Sequence, residues 1–294
     1  MAVADDAIRF SVVIPAFNEE GYLDASLESL QRQDFAGRYE IVVVDNNSTD
    51  GTSAVARRRG IRVLHEPMVG VCAARQRGID ESTGEIVVST DADTVHPRDW
   101  LTRMDARFRT GPDVVAVAGP CVYGDPPWWA AIFPRLWFAA IAAVYSCSGR
   151  VFYLTATNVA FVRTSFPGYD TTITQGGDEV DVLRRLRGRG RIVWDANNSV
   201  VTSSRRMDQG LAYTLIVSYG YHYALSYVLN RLSAREILGP APAIRREHEE
   251  LVHRRRRRWR GGLAAVTTVL VATTLRRPDS RLRSIGAAAL RRRR

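Results

Sequence analysis

The chain has 294 residues, 46% of them apolar, and a formal net charge of +10. That is ample material for a large core and suggests one extended α/β domain, or one domain with an appendage. Three cysteines, Cys72, Cys121 and Cys147, with no C-x-x-C spacing argue against a disulfide framework or a zinc site and for reduced thiols in a reducing compartment.

The charge is unevenly distributed. All 41 basic residues are arginine; from residue 245 onward 16 Arg face 4 acids, whereas residues 1–244 hold 25 Arg against 27 acids. The basic character belongs to the tail, and the body is close to neutral.

In chain order, MAVADDAIRF carries acids where a signal peptide needs a basic region, so export is not expected. RFSVVIPAF is β-branched and apolar and reads as a strand stopped by Pro15. GYLDASLESLQRQ follows, with Leu23, Leu27 and Leu30 spaced for one helix face. YEIVVVDNNSTDGT is a second buried strand ending in a polar turn, where Thr49 or Asp50 is placed to cap the helix TSAVARRRG. IRVLHE predicts a third strand, GVCAARQRGIDEST a helix closed by Gly84, EIVVST a fourth strand, and RDWLTRMDARFRT the next helix. Apolar strands separated by helices predict a parallel sheet covered on both faces. In such sheets ligands sit beyond the carboxyl ends of the strands. Those ends are Pro15-Ala16-Phe17-Asn18-Glu19, Asp45-Asn46-Asn47-Ser48 and Asp91-Ala92-Asp93, three polar clusters on one edge.

Further on, PPWWAAIFPRLWFAAIAAVYSC is apolar but interrupted by Pro134-Arg135. It reads as an interfacial helix, a lid, or a buried helix of the second half. In the tail, the apolar run 261–275 is too short to span a bilayer comfortably and is flanked by arginine clusters. A peripheral anchor on anionic headgroups is the first reading of this tail, a solvated tail the second, and nucleic-acid binding the third.

Two phosphate-binding patterns are missing. PAFNEE replaces the G-x-G-x-x-G that a dinucleotide-binding strand end carries, and a chain without lysine has no G-x-x-x-x-G-K-[ST] loop.

Four landmarks in order, VVIPAFNEEGYLDASLESL, EIVVVDNNSTDGT, GVCAARQRGI and STDAD, resemble those of family 2 glycosyltransferases with the GT-A fold, over about residues 10–206. The resemblance implies a Rossmann-like, mostly parallel sheet with helices on both faces. It implies a catalytic domain over residues 1–244, with a nucleotide-binding half at about 8–120 and an acceptor half at about 121–206. Residues 245–294 would be a basic extension. It further implies inverting transfer from a UDP-, GDP- or dTDP-sugar, usually with Mn²⁺ or Mg²⁺. The Q-x-x-R-W signature of the processive members is absent, which favours addition of a single sugar.

Chemistry supports the metal independently. A departing diphosphate gathers negative charge that a hard divalent cation stabilises, and such a cation takes one or two carboxylates plus phosphates and water. Asp93 is assigned as the metal ligand and Asp91 to the ribose or a metal-bound water; the bland reading is that the pair caps the turn before Pro97. By resemblance Asp45 contacts the base and Glu19 the nucleotide, with Pro15, Phe17, Asn18 and Asn47 lining the same pocket and Arg75 touching the diphosphate or nucleoside. Family members commonly carry Glu-Asp where this chain has Asp178-Glu179. Glu179 is favoured as the base on the acceptor hydroxyl, with Asp178 as rival or partner. Asn158 is a candidate to orient sugar or acceptor, and Arg205 and Arg206 to bind the leaving diphosphate. The expected location is cytoplasmic, peripheral at the inner membrane face through the tail, with a lipid-linked acceptor as a secondary inference. Competing readings are a nucleotidyltransferase on a related sheet and an inactive nucleotide-sugar sensor or membrane scaffold.

Overall fold

Valines and isoleucines of the first strand alternate between two apolar layers, and this fixes the architecture. In β1 (Phe10–Ala16) the side chains of Val12 and Ile14 join one buried cluster and Val13 the other. β2 (Tyr39–Asp45) divides Val43 from Val42 and Val44 in the same way, and β4 (Ile86–Ser89) divides Val88 from Val87. A sheet apolar on both faces must be covered on both faces. The computed structural model describes residues 7–173, 177–205, 207 and 210. The chain divides into two units, Met1–Arg245 and Arg246–Arg294, and every described residue lies in the first. Arg206 and the arginine-rich tail lie outside the described residues.

α1 (Leu23–Gln31), α2 (Thr52–Arg58) and α4 (Trp100–Phe108) cover one face. Leu23, Leu27 and Leu30 are fully buried there, as their spacing predicts. α3 (Val71–Asp80) and α6 (Asp178–Leu186) cover the other, with Cys72, Ala74, Val182 and Leu186 inside.

The sheet also takes in β3 (Arg62–His65), β6 (Val114–Ala118), β8 (Val159–Val162) and β9 (Arg191–Trp194), in the order β3-β2-β1-β4-β8-β6-β9. β8 runs antiparallel between β4 and β6, so the sheet is mostly rather than wholly parallel. A second, three-stranded sheet orders β5 (Thr94–Val95), β10 (Val200–Ser203) and β7 (Cys121–Gly124) as β5-β10-β7. It joins the chain just after Asp93 to the chain just before Arg205.

Two local expectations are corrected. α3 ends at Asp80, four residues before Gly84. Gly84 instead passes so close to β1 that a Cβ there would lie 2.7 Å from the Ser11 backbone nitrogen, which is why the position takes no side chain. Nor does Pro134 break the apolar segment: α5 (Trp128–Ser148) runs through it for 21 residues and ends at Gly149, left-handed at φ 66°.

Candidate active site

The carboxyl ends of β1, β2 and β4 lie side by side, with Ala16 in register with Asp45 and Val13 with Ser89. The loops beyond them contain the two left-handed asparagines Asn18 (φ 53°) and Asn47 (φ 69°), a conformation that asparagine tolerates better than other side chains. Asn18 Oδ1 accepts the Thr49 amide at 2.8 Å, and the Asn18 amide donates to Ser48 Oγ at 3.0 Å, tying the first loop to the second. Asn47 Nδ2 donates to the carbonyls of Glu66 and Pro67, each at 3.2 Å. Pro15 pairs with Val44 inside the sheet, and the Phe17 ring projects to the surface at the strand end.

Asp45 is buried, with Oδ1 accepting the Ser48 amide at 2.9 Å and Oδ2 accepting the Ser53 hydroxyl. Burial pushes its pKa up, but the bonds from Ser53 and Ser48 outweigh burial and hold it below the ordinary carboxylate range. A carboxylate offers about four lone-pair sites, so base recognition by Asp45 is compatible with these internal bonds. Of the two capping candidates, Asp50 takes the Thr52 amide on Oδ1 at 3.0 Å, while Thr49 serves the loop to Asn18.

Arg75 is the hinge between the two distant carboxylate motifs. Its buried guanidinium lies 2.6 Å from Asp91 Oδ1 through Nη2 and pairs with Asp178 through Nη1. The second oxygen of Asp91 accepts the Thr157 hydroxyl at 2.6 Å. Burial lowers the guanidinium's pKa, yet the two carboxylates outweigh it and keep Arg75 charged. Asp178 and Glu179 open α6 and are buried. Burial first, and the neighbouring Asp178 second, raise the Glu179 pKa well above the carboxylate range. Asp181 pairs with Arg184 at 2.8 Å and with Arg185, so it braces its own helix.

Arg205 forms the second hub. Its fork grips Glu19 through two bonds of 2.7 and 2.8 Å, its Nη2 lies 2.9 Å from Asp93 Oδ2, and its charge stands 4.8 Å over the Tyr22 ring. Thr202 Oγ1 donates to Asp93 Oδ1 at 3.3 Å. The turn carrying Asp91 and Asp93 is pinned by buried His96, bonded to Thr90 at 2.8 Å and to Ser29 at 3.1 Å, with its ring tilted against Trp100 at 4.2 Å between centroids. Burial drives the imidazole pKa to about 3, so His96 stays neutral.

Asn158 lies inside the protein. It is fully buried; its Oδ1 accepts the Trp100 indole N–H at 2.9 Å, and its Nδ2 donates to the carbonyls of Pro120 (2.9 Å) and Asn198 (2.7 Å). Both hydrogens of its amide and one lone pair of Oδ1 are committed to the protein, so it joins α4 to the β6 and β10 loops. Arg75, like Arg205, is held between two carboxylates. Tyr22, Ser53, Thr157 and Thr202 complete the site, and sequence reading missed them because isolated hydroxyls carry no spacing signal.

Among the described residues no three His, Cys, Asp or Glu side chains converge as a metal cage. The donor set nevertheless fits a hard cation bound mainly by substrate. Asp93 ends the D-x-D turn beside Asp91, and the group now held against its carboxylate is itself a cation, the Arg205 guanidinium.

The family model described as "Glycosyl transferase family 2" matches residues 11–166, just over half of the chain. The chain belongs to glycosyl transferase family 2. It is 38% identical over 131 residues to an uncharacterised glycosyltransferase of Mycobacterium tuberculosis, a match over 44% of this chain and 57% of that one. It is 37% identical over 117 residues to an undecaprenyl-phosphate 4-deoxy-4-formamido-L-arabinose transferase of Pseudomonas paraeruginosa, over 36% and 34% of the two chains. The chain thus spans little more than half the length of the mycobacterial relative. A mannosyltransferase from Pyrobaculum calidifontis, solved with GDP-Man and Mn²⁺, superposes with a TM-score of 0.55 at 22% identity, covering 92% of this chain and 80% of that one. That likeness establishes the GT-A fold for this family 2 chain. The family match takes in Glu19, Asp45, Arg75, Asp91, Asp93 and Asn158, while α6 and Arg205 lie beyond it.

Proposed function

We propose that this protein transfers a single sugar, with inversion, from a nucleoside-diphosphate sugar to an acceptor hydroxyl at the cytoplasmic face of the membrane. The observation that carries the reading is the division of labour at the start of α6. Arg75 pairs with Asp178, while burial first and the neighbouring Asp178 second raise the Glu179 pKa well above the carboxylate range, as a proton acceptor requires.

In this reading the nucleoside lies over the ends of β1 and β2, against Pro15, Phe17, Asn18, Asn47 and Asp45. Asp91, fixed by Arg75 and Thr157, faces the ribose. Asp93 would hold a divalent cation, Mn²⁺ or Mg²⁺, whose other ligands come from the diphosphate and water. When bound, that cation acts as a Lewis acid on the charge gathering on the diphosphate. Glu179 takes the proton of the acceptor hydroxyl. The hydroxyl oxygen then bonds to the anomeric carbon from the face opposite the diphosphate, and the C–O bond to phosphate breaks with its electron pair leaving on the nucleotide. Arg205, within reach of Asp93, is suited to grip the departing diphosphate with its fork. Arg75 is a positioning residue in this scheme.

The metal is supported by the donor chemistry of Asp93 and by the Mn²⁺ in the solved archaeal mannosyltransferase. A lipid-linked acceptor is supported by the relative named for undecaprenyl phosphate. Thermal shift and transfer assays with UDP-, GDP- and dTDP-sugars, with and without Mn²⁺, test the reading. Unchanged turnover in both Asp93→Asn and Glu179→Gln would sink it.

A further inference from the structure

The inner side of α5 is packed onto the protein body. Ala130 and Ile141 are buried, and Phe138 stacks on Trp194, the last residue of β9, with ring centroids 5.8 Å apart. The outer side is apolar and open: Ile132 is 52% exposed, Phe133 47%, Leu136 66%, Trp137 39% and Val144 43%. At 100° per residue these five fall within one stripe that borders the packed side at Trp137. Trp137 anchors an aromatic platform there, stacked on Phe133 at 6.4 Å and meeting Phe152 and Tyr153 edge-on at 5.9 and 5.7 Å.

The segment that carries the stripe has charges of one sign. From residue 126 to residue 169 the sequence contains no Asp or Glu, and its charged residues are Arg135, Arg150 and Arg163. Arg135 and Arg150 are exposed. We propose that this face of α5 lies flat on an anionic lipid bilayer. By length and composition α5 could cross a membrane, but its packed side ties it to the sheet, so it rests in the interface instead of spanning. Aliphatic side chains enter the acyl boundary, tryptophan and tyrosine rings sit at headgroup depth, and arginines meet lipid phosphates. A segment of 44 residues whose only charges are arginines complements negative headgroups better than a mixed-charge protein partner. Because Phe138 meets Trp194 at the carboxyl edge of the sheet, the contact brings that edge toward the bilayer. The inference deepens the function proposed above and rests on it for its purpose, while lipid binding and sugar transfer are measured separately.

The test is flotation of the full chain with vesicles of phosphatidylcholine alone or with added phosphatidylglycerol. Wild type is expected to float with the anionic vesicles, and Ile132→Glu/Leu136→Glu to partition at least about ten-fold more weakly, with unchanged melting temperature. Arg135→Gln/Arg150→Gln, which leaves the apolar stripe intact, should lose most of the preference for anionic over neutral vesicles. Wild type that stays unbound, or both variants binding within two-fold of it, overturns the proposal and leaves binding to another part of the chain. A wild-type dimer dissolved by the glutamates, with no change in flotation, also overturns it and assigns the stripe to a second copy. Loss of sugar transfer with wild-type flotation intact would instead count against the proposed reaction.

Discussion

Nη2 of Arg205 lies 2.9 Å from Oδ2 of Asp93, so the carboxylate assigned to a metal is neutralised internally by a guanidinium. Two cations cannot share one carboxylate oxygen without strong repulsion at that range. A metal on Asp93 would compete with Arg205 for that carboxylate, and a diphosphate would offer the fork of Arg205 an alternative partner. Arg205→Gln is expected to bind Mn²⁺ about ten-fold more tightly in the absence of nucleotide, a competition of about 1.4 kcal/mol. Mn²⁺ paramagnetic resonance on the free protein measures this, and equal affinities would remove the competition.

Replacing the assigned reacting groups should separate their roles. Glu179→Gln is expected to lower kcat by about 10²–10⁴-fold, the usual worth of a positioned general base. Its nucleotide affinity should stay near wild type. Asp93→Asn should instead abolish the dependence of donor binding on Mn²⁺, read by titration calorimetry with the nucleotide diphosphate.

The raised pKa of Glu179 fixes the sign of a pH effect. A carboxyl that holds its proton more tightly folded than unfolded binds more protons in the native state. Its stabilising contribution is complete below the ordinary glutamate pKa and is lost as pH rises through the raised value. Chemical denaturation from the carboxylate range upward should show wild type losing stability relative to Glu179→Gln. A constant difference between the two proteins across that window contradicts the assignment.

Arg75→Met leaves the buried Asp178 carboxylate without its counter-charge. Removing one partner of such a pair costs about 3–5 kcal/mol, so urea denaturation should detect a large loss. Arg75→Lys restores charge but not the two-pronged reach to Asp91 and Asp178, and should recover only part of it.

Asn158→Ala should act on stability and not on substrate contacts. It strands the Trp100 indole N–H and the Pro120 and Asn198 carbonyls, at about 1–3 kcal/mol for each buried group left unbonded. KM values near wild type in the surviving folded fraction, together with a lowered melting temperature, fit this role. A raised acceptor KM with full stability would restore the sugar-orienting role.

The sequence by itself determined the αβ alternation, the buried strands and the edge on which the polar clusters gather. Period and burial are local properties: Val12, Val13 and Ile14 alternate between two cores whatever the rest of the chain does. It also marked Asp91, Asp93 and Glu179 through their positions at the end of a strand and the start of a helix. Only the tertiary structure decided which cation faces which carboxylate. Arg75 meets Asp178 across 103 positions and Arg205 meets Glu19 across 186, and no spacing rule reaches so far. The burial of Asn158, the antiparallel course of β8 and the open side of α5 were set in the same way. Each depends on what packs against the residue from distant parts of the chain, and composition alone does not carry that information.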